Sequence, residues 1–353
     1  MDKRVRKESI ESIYSFIKAS LEFYDGNGSS AYYSLFRYPL EKWAPPYPET
    51  SGYLIQTLLS IHRIYPDWGA YSLAYKCGKW LTQKVQHANG SFPQLYAGNE
   101  KPSFFNTAQI LIGLQALEDV SPEKEWSESI EKALDWIQSI LEKGIKKVDV
   151  HYKGSIPTYY TRAYWPICHS AKLVRRKKTV DLLKAEYEKL LDRFDEDYFP
   201  VGAGFDGSNS FLHTLAYTGR GILEMERILP SPKGRAILSG YMNTLCRLYK
   251  EGSKGWAGSY DKGWKGDFSY RCLPGEYQMS ILFSKARKDL GVEDYSRIAQ
   301  KTLEKSLAVR SLFFPKGAIL GSKPIWGKYM PFKAPNWGGK FALDALLILE
   351  NEN

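Results

Sequence analysis

The stretch that decides the fold is GAGFDGSNSFLHTLAYTGRGILE, residues 202–224, in which a glycine-rich polar loop runs directly into an amphipathic helix. Ser208, Asn209 and Ser210 stand just before the apolar residues, where their side-chain oxygens can accept the first free N–H groups of a helix. His213 and Tyr217 follow four residues apart, so they are predicted to share one face of that helix. The same layout of loop and helix recurs along the chain.

Six helix pairs follow from this recurrence, and their second helices are predicted to start near residues 49, 105, 159, 210, 271 and 336. First helices, such as 123–143, carry charges on one face, whereas second helices, such as the one from residue 105, are apolar nearly all round. Polar-faced helices belong outside and apolar helices inside. The repeat therefore predicts an all-α fold, an (α/α)6 toroid of two concentric rings, built as a single domain over residues 1–353.

Composition and charge narrow the functional classes. The chain has a formal net charge of +10 but no zinc-finger or RNP-like motif, so we expect no nucleic acid. An anionic substrate would fit this charge, and a merely solvated surface is the alternative. It has neither a signal peptide nor an apolar run of about 18 residues, so we expect a cytoplasmic protein without a membrane span. The four cysteines lack the spacing of a disulfide framework or a zinc site, and we predict no metal and no cofactor. The oligomeric state and any dependence on a metal stay open.

Several segments resemble those of known toroid proteins. CGKWLTQKVQHANGSF (77–92) resembles the glutamine- and tryptophan-containing repeats of the squalene cyclase and protein prenyltransferase toroids. The segments 105–114, 212–224 and 329–350 resemble those of toroid proteins from bacterial and archaeal polysaccharide-biosynthesis loci. The resemblance implies a toroid fold and glycan chemistry.

A shorter resemblance covers residues 206–221. This segment contains DGS, HT and AYTG in the order found in a motif of hyaluronate and chondroitin lyases, which it resembles. In those lyases, His, Tyr, Asn and Arg side chains perform β-elimination at uronates. The spacing here is one residue shorter, and Arg220-Gly221 replaces the final Tyr-Gly of that pattern. The resemblance implies a role for His213 at a uronate, while the catalytic Tyr of the lyases has no aligned counterpart.

The candidate site lies where the inner helices begin. Because all six are predicted to run the same way, their N-termini meet at one mouth and favour anionic ligands. The catalytic candidates are His213, Tyr217, Arg271, Glu276 and Glu49. The candidates for substrate binding are Asn106, Tyr160, Arg162, Asp206, Asn209, Arg220, Tyr329, Asn336, Trp337 and Lys340. Tyr53, Gln109, Tyr164 and Gln278 are also placed at this mouth.

These residues fit more than one chemistry. Proton abstraction at C5 of a uronate, by a lyase or a C5-epimerase, would use His213 or a tyrosine as the base and an arginine to neutralise the carboxylate. Glycoside hydrolysis would use paired carboxylates, drawn from Glu49, Asp206, Asp267 and Glu276. Polyprenyl chemistry ranks last, because the chain has neither an aspartate-rich acid motif nor a zinc-binding trio.

Structural roles are the alternative for each candidate. His213 could be a hydrogen-bonded core residue, Glu49 and Glu276 could only cap helix dipoles, and Arg271 could pair with one of those acids. Trp337 and Asn336 could fasten the last helix pair to the first and close the ring. We expect a protein of polysaccharide metabolism that acts on an acidic, uronate-containing glycan, with lyase or epimerase chemistry ahead of hydrolysis. A non-catalytic glycan-binding protein is the remaining alternative.

Overall fold

The computed structural model describes residues 1–36, 42–145, 156–205, 209–251, 255–309 and 313–351. These ranges contain twelve α-helices: α1 (Lys3–Phe23), α2 (Pro48–Ile64), α3 (Ala70–Trp80), α4 (Phe104–Val120), α5 (Lys124–Lys143), α6 (Thr161–Leu173), α7 (Lys177–Leu191), α8 (Leu212–Ile228), α9 (Pro232–Glu251), α10 (Leu273–Leu290), α11 (Asp294–Leu307) and α12 (Asn336–Asn351). The same ranges contain seven short strands: β1 (Tyr32–Ser34), β2 (Ser210–Phe211), β3 (Ser259–Tyr260), β4 (Gly266–Asp267), β5 (Arg271–Cys272), β6 (Ser322–Lys323) and β7 (Lys333–Pro335).

The even-numbered helices form a closed inner ring. Each packs against the next even-numbered helix, and α12 returns to pack against α2. Helix α4 is buried along almost its whole length, whereas α5 and α11 bury one face and expose a charged one. The predicted (α/α)6 toroid is confirmed.

The pairing of inner and outer helices differs from the prediction. Helices α3, α5, α7, α9 and α11 each pack mainly against the inner helix that precedes them in the chain, and α1 packs against α12. The short connections therefore join the C-terminus of an inner helix to its outer partner. The long loops lie before the inner helices, so they gather at the N-terminal mouth of the ring.

The two ends of the chain close the ring. The Arg6 side chain donates to the carbonyl oxygen of Leu349 at 2.6 Å and pairs with Glu350 at 3.0 Å. At the other end of the α1–α12 contact, the buried Asn336 amide donates to the Ser20 and Ser29 hydroxyls at 2.6 and 2.8 Å. The structural role foreseen for Asn336, fastening the last helix to the first, is the one that it has.

Glycines set the spacing between inner helices α2 and α4. A Cβ atom on Gly113 would lie 2.0 Å from the carbonyl oxygen of Gly52, and a Cβ on Gly52 would lie 2.6 Å from the Cα of Ile110. Neither contact leaves room for a side chain, because the atoms met are backbone. The two helices therefore approach closely only with glycine at these positions.

The start of α8 corrects one sequence-based expectation. Ser210 and Phe211 form β2, which pairs antiparallel with β3, and the helix begins only at Leu212. Phe211 is the N-cap residue and makes no side-chain capping bond, so the predicted cap by Asn209 or Ser210 is wrong. Ser208 lies outside the described residues. The long-range strand pairing takes the place of a local cap.

Candidate functional site

A cavity of about 380 Å³ opens at the N-terminal mouth of the inner ring. Its lining comes from the first turns of the inner helices and from the loops before them, which is where the sequence placed the site. Polar and aromatic side chains share the lining: Tyr47, Glu49, Tyr53, Gln94, Leu95, Ser103, Phe105, Asn106, Tyr159, Tyr160, Phe205, His213, Tyr217, Tyr329, Met330 and Trp337. Eight of the residues that the sequence placed at the mouth therefore line one cavity.

The Glu49 carboxyl is the acidic group of this cavity within the described residues. It lies in the first turn of α2, and the side chain is 8% exposed. Burial raises the pKa of Glu49 to about 7, although a hydrogen bond from the Tyr47 hydroxyl and the charge of Arg162 both act to lower it. Glu49 therefore titrates near neutral pH, so this group can give a proton to a ligand and take one back.

Tyr47 links Glu49 to the neighbouring inner helix. Its hydroxyl is hydrogen-bonded to the Glu49 carboxyl and to the Asn106 side chain, and burial raises the pKa of Tyr47 well above its usual value. The Asn106 amide also donates to the carbonyl oxygen of Pro93 at 2.9 Å. This chain of contacts holds Glu49 in place from the loop before α4.

His213 lies in the first turn of α8 and is fixed from α10. The Gln278 amide nitrogen lies 2.9 Å from Nδ1 of His213 and donates to it, which places the proton of the neutral ring on Nε2. Burial and the charge of Arg162 lower the pKa of His213 to about 3. A Cβ on Gly275 would lie 2.6 Å from the His213 backbone nitrogen, so α8 and α10 meet only with glycine there. His213 is therefore a neutral donor through Nε2–H and a weak base.

Aromatic rings form the walls around these polar groups. The Tyr217 ring lies 4.4 Å from the His213 ring, and burial raises the pKa of Tyr217, which keeps its hydroxyl protonated. Trp337 donates from Nε1 to the Tyr329 hydroxyl at 3.0 Å. Tyr160 lies against Phe105 with ring centroids 5.3 Å apart. Flat rings bearing hydroxyl groups at their edges suit a sugar, which offers C–H faces and hydroxyl groups together.

Arg162 is buried behind Tyr217 and is not part of the lining. Its guanidinium carbon lies 5.2 Å from the centroid of the Tyr217 ring, and Nε donates to the Gln109 side chain at 3.1 Å. Its charge still reaches the cavity, since it contributes to lowering the pKa values of Glu49 and His213. Together with the helix N-termini, this charge favours an anionic group in the cavity.

Lys340 is a second buried cation that stays outside the lining. Its ammonium group pairs with Asp344 and lies 5.3 Å from the centroid of the Tyr53 ring, which does line the cavity. Burial lowers the pKa of Lys340 to about 8 despite the neighbouring carboxylate. Lys340 is therefore placed to support Tyr53 rather than to touch a ligand.

Arg271 and Glu276 lie away from the cavity and bind each other. The Arg271 guanidinium donates to both Glu276 oxygens at 2.8 and 2.5 Å, and the Ser306 hydroxyl of outer helix α11 donates to Glu276 at 2.6 Å. Glu276 thus faces the outer ring, as a partner of Arg271. We leave both residues out of the proposed site and assign them a structural role.

The other candidates also lie outside the lining. Arg220 forms an ion pair with Glu224 at 2.7 Å further along α8, and Asn336 makes the ring-closing bonds given above. Asn209 is exposed in the loop before β2. Asp206 lies outside the described residues, so its assignment stays a sequence-based prediction.

Sequence reasoning missed several lining residues, all of them in or next to the loops: Tyr47, Gln94, Leu95, Ser103, Phe105, Tyr159, Phe205 and Met330. A signal existed for Tyr47, because it directly precedes Pro48 at the first position of an inner helix. Leu95 and Met330 gave no such signal, since their positions depend on contacts distant in the sequence.

Over the described residues, no three His, Cys, Asp or Glu side chains cluster as metal ligands would. The helices described there all lack the length or the apolar character that crossing a membrane requires.

Comparison with known proteins identifies relatives by fold alone. No protein-family model and no curated protein matches the chain. Among solved structures, an unsaturated glucuronyl hydrolase specific for heparin shares the fold with a TM-score of 0.75 and 12% identity, covering 99% of this chain and 98% of that one. The unsaturated glucuronyl hydrolase of Bacillus sp. GL1 is described as responsible for the degradation of glycosaminoglycan. It has a TM-score of 0.73 and 11% identity, and the match covers 98% of this chain and 97% of that one. Cellobiose 2-epimerase from Bacillus thermoamylovorans B4167 has a TM-score of 0.66 and 13% identity, and the match covers 97% of this chain and 98% of that one.

Proposed function

We propose that this chain is a carbohydrate-active hydrolase that binds a uronate-containing sugar in the mouth of the toroid and uses Glu49 as its general acid. The observation that carries the proposal is the buried Glu49 carboxyl, whose pKa is raised to about 7 inside a cavity walled by aromatic rings. A carboxylic acid that holds its proton near neutral pH is what cleavage of a glycosidic bond requires.

The fold neighbours agree with this substrate class. Unsaturated glucuronyl hydrolases share the toroid over nearly the whole chain, and one from Streptococcus agalactiae has been solved with the acidic disaccharide dGlcA-GalNAc6S. For the present chain, the charge of Arg162 and the helix N-termini favour an anion in the cavity. These two lines of support are independent, because the identities are too low to carry residue roles from one protein to another.

In the proposed reaction, Glu49 gives its proton to the glycosidic oxygen while the bond between that oxygen and the sugar carbon breaks. Water supplies the hydroxyl group of the product, and its remaining proton restores the Glu49 carboxyl. His213 donates a hydrogen bond from Nε2–H to a sugar oxygen, and the tyrosine hydroxyls do the same around it. A second carboxylate to activate the water is an expectation for Asp206, which remains a prediction from the sequence.

Elimination or epimerisation at C5 of a uronate is the second candidate, favoured by the contact between the His213 and Tyr217 rings. It requires a strong base to remove a carbon-bound proton. His213 is a weak base because its pKa is lowered to about 3, and Tyr217 keeps its proton because burial raises its pKa. Glu49 is therefore the more suitable proton-transfer group, which places hydrolysis ahead of the lyase or epimerase chemistry expected from the sequence.

Product analysis tests the proposal. Purified protein is incubated with unsaturated and saturated uronate-containing disaccharides in D2O and followed by NMR spectroscopy and a reducing-sugar assay. Hydrolysis predicts free monosaccharides and new reducing ends. A new conjugated double bond in the product would identify a lyase, and deuterium at C5 without cleavage would identify an epimerase. Binding without any product would contradict catalysis and support a glycan-binding protein.

A further inference from the structure

Leu95 has a backbone conformation that its side chain disfavours. Its φ of 61° lies in the left-handed region, where a Cβ atom crowds the following carbonyl group. Asp25 and Arg175 share this conformation but directly follow helices, where it is an ordinary helix ending. Trp264 also shares it, and there the indole is 7% exposed and donates to the Asp197 carbonyl at 3.0 Å, so packing offsets the strain. Leu95 is 49% exposed and lacks that compensation.

The loop around Leu95 is held firmly by hydrogen bonds. The Gln94 backbone N–H donates to the carbonyl oxygen of Lys101 at 2.8 Å, and the Gln94 carbonyl accepts from the Asn99 side chain at 2.7 Å. The carbonyl of Pro93 accepts from Asn106, which is itself a lining residue of the cavity. The strained conformation of Leu95 is thus fixed by its neighbours, as is found where strain is kept for a function.

Leu95 presents an apolar side chain at the edge of the cavity. Met330, another apolar residue of the lining, lies in a different loop, and its φ of 51° also falls in the left-handed region. Phe205 adds a ring that is 42% exposed. An exposed apolar surface next to an acidic and hydrogen-bonding interior matches the C–H face of a sugar ring that extends out of the cavity.

We propose that Leu95, together with Met330, forms a binding surface for the second sugar residue of the glycan, the one joined to the residue held beside Glu49. This inference rests on the proposed function and adds that the substrate is at least a disaccharide. Leu95 contributes van der Waals contact with the ring of the leaving sugar. The strain at Leu95 is retained because glycine, which would relieve it, has no side chain to make that contact.

The test measures binding and stability in Leu95→Gly and Leu95→Ala. Isothermal titration calorimetry compares glucuronate with the disaccharide dGlcA-GalNAc6S, using the Glu49→Gln background so that turnover is slow during the titration. We expect both Leu95 variants to bind the disaccharide about fivefold or more weakly, with glucuronate binding unchanged. Leu95→Gly should also raise the melting temperature by about 1–3 °C, since glycine accepts a positive φ, whereas Leu95→Ala should not.

Arg175→Gly is the matched control, because it relieves the backbone strain of another residue with a left-handed φ, far from the cavity. It should raise the melting temperature to a similar extent and leave both affinities unchanged. If the Glu49→Gln protein binds both sugars and both Leu95 variants keep its disaccharide affinity, Leu95 does not contact the second sugar residue. That result would overturn this inference and leave the proposed function standing. If Glu49→Gln binds neither sugar, the proposed substrate class fails and this inference fails with it.

Discussion

Two carboxylates of the inner ring, the buried Glu49 and the largely buried Glu224, are in opposite electrostatic states. Glu49, at the N-terminal mouth, has a tyrosine hydroxyl as its partner, and burial raises its pKa to about 7. Glu224, near the other end of α8, lies 2.7 Å from Arg220 and 3.1 Å from both Arg227 and Lys285. Burial acts to raise the pKa of Glu224 as well, but the three cations outweigh it and lower that pKa.

This contrast separates a reactive acid from a structural one. The two groups lie in the same ring of helices, so the fold alone does not determine their chemistry. Pairing with cations makes Glu224 a permanent anion that holds α8 to α10 through Lys285. The lack of such pairing leaves Glu49 able to exchange a proton near neutral pH.

Glu49→Gln is expected to have the largest effect. Glutamine keeps the size of the side chain and removes the proton donor, so turnover should fall about 10²- to 10⁴-fold, the usual contribution of a general acid. Circular dichroism should show a folded protein. Steady-state kinetics on the disaccharide that the product analysis identifies gives the measurement. Retained turnover in a folded Glu49→Gln protein would rule out Glu49 as the acid.

Glu224→Gln should affect stability rather than chemistry. The change leaves Arg220, Arg227 and Lys285 clustered without their shared anion, so the free energy of unfolding should fall by about 3 kcal/mol. Chemical denaturation measures this loss, and kcat at a temperature where the variant is folded should match that of the unmodified protein. A large loss of kcat with unchanged stability would contradict the structural role of Glu224.

The pH dependence of stability should also separate the two carboxylates. Glu49 titrates near pH 7 in the folded protein but near 4.5 when unfolded, so the folded state holds more protons between those values. Glu49 therefore contributes stability that is lost as the pH rises through that window, and Glu49→Gln lacks this contribution. The stability of the variant relative to the unmodified protein should increase by about 2–3 kcal/mol between pH 4.5 and 8. If the difference in stability between the two proteins stays constant over this range, the Glu49 carboxyl has an ordinary pKa.

The sequence predicts the fold well because the signal is repeated and local. Alternating charged-faced and apolar helices define the two rings, and predicted starts at 49, 105 and 336 lie within one residue of those of α2, α4 and α12. The start of α8 was placed too early, because strand pairing between Ser210 and Tyr260 links segments that are far apart in the sequence.

The site is only partly predictable, for two physical reasons. A helix turns about 100° per residue, so Gln278 faces His213 while Glu276, two positions earlier, faces the outer ring. Nearness to a helix start therefore does not decide which residues reach the cavity. The loop residues Leu95 and Met330 depend on hydrogen bonds to distant segments, which local patterns do not encode.

The most direct test of the account is the pKa of Glu49 itself. In protein labelled with ¹³C at glutamate side-chain carboxyls, the Glu49 and Glu224 signals are assigned from the spectra of Glu49→Gln and Glu224→Gln and followed by NMR spectroscopy across the pH range. We expect a midpoint near 7 for Glu49 and one well below the ordinary glutamate value for Glu224. A Glu49 midpoint at the ordinary value of about 4.3 would contradict its role as the acid of the cavity.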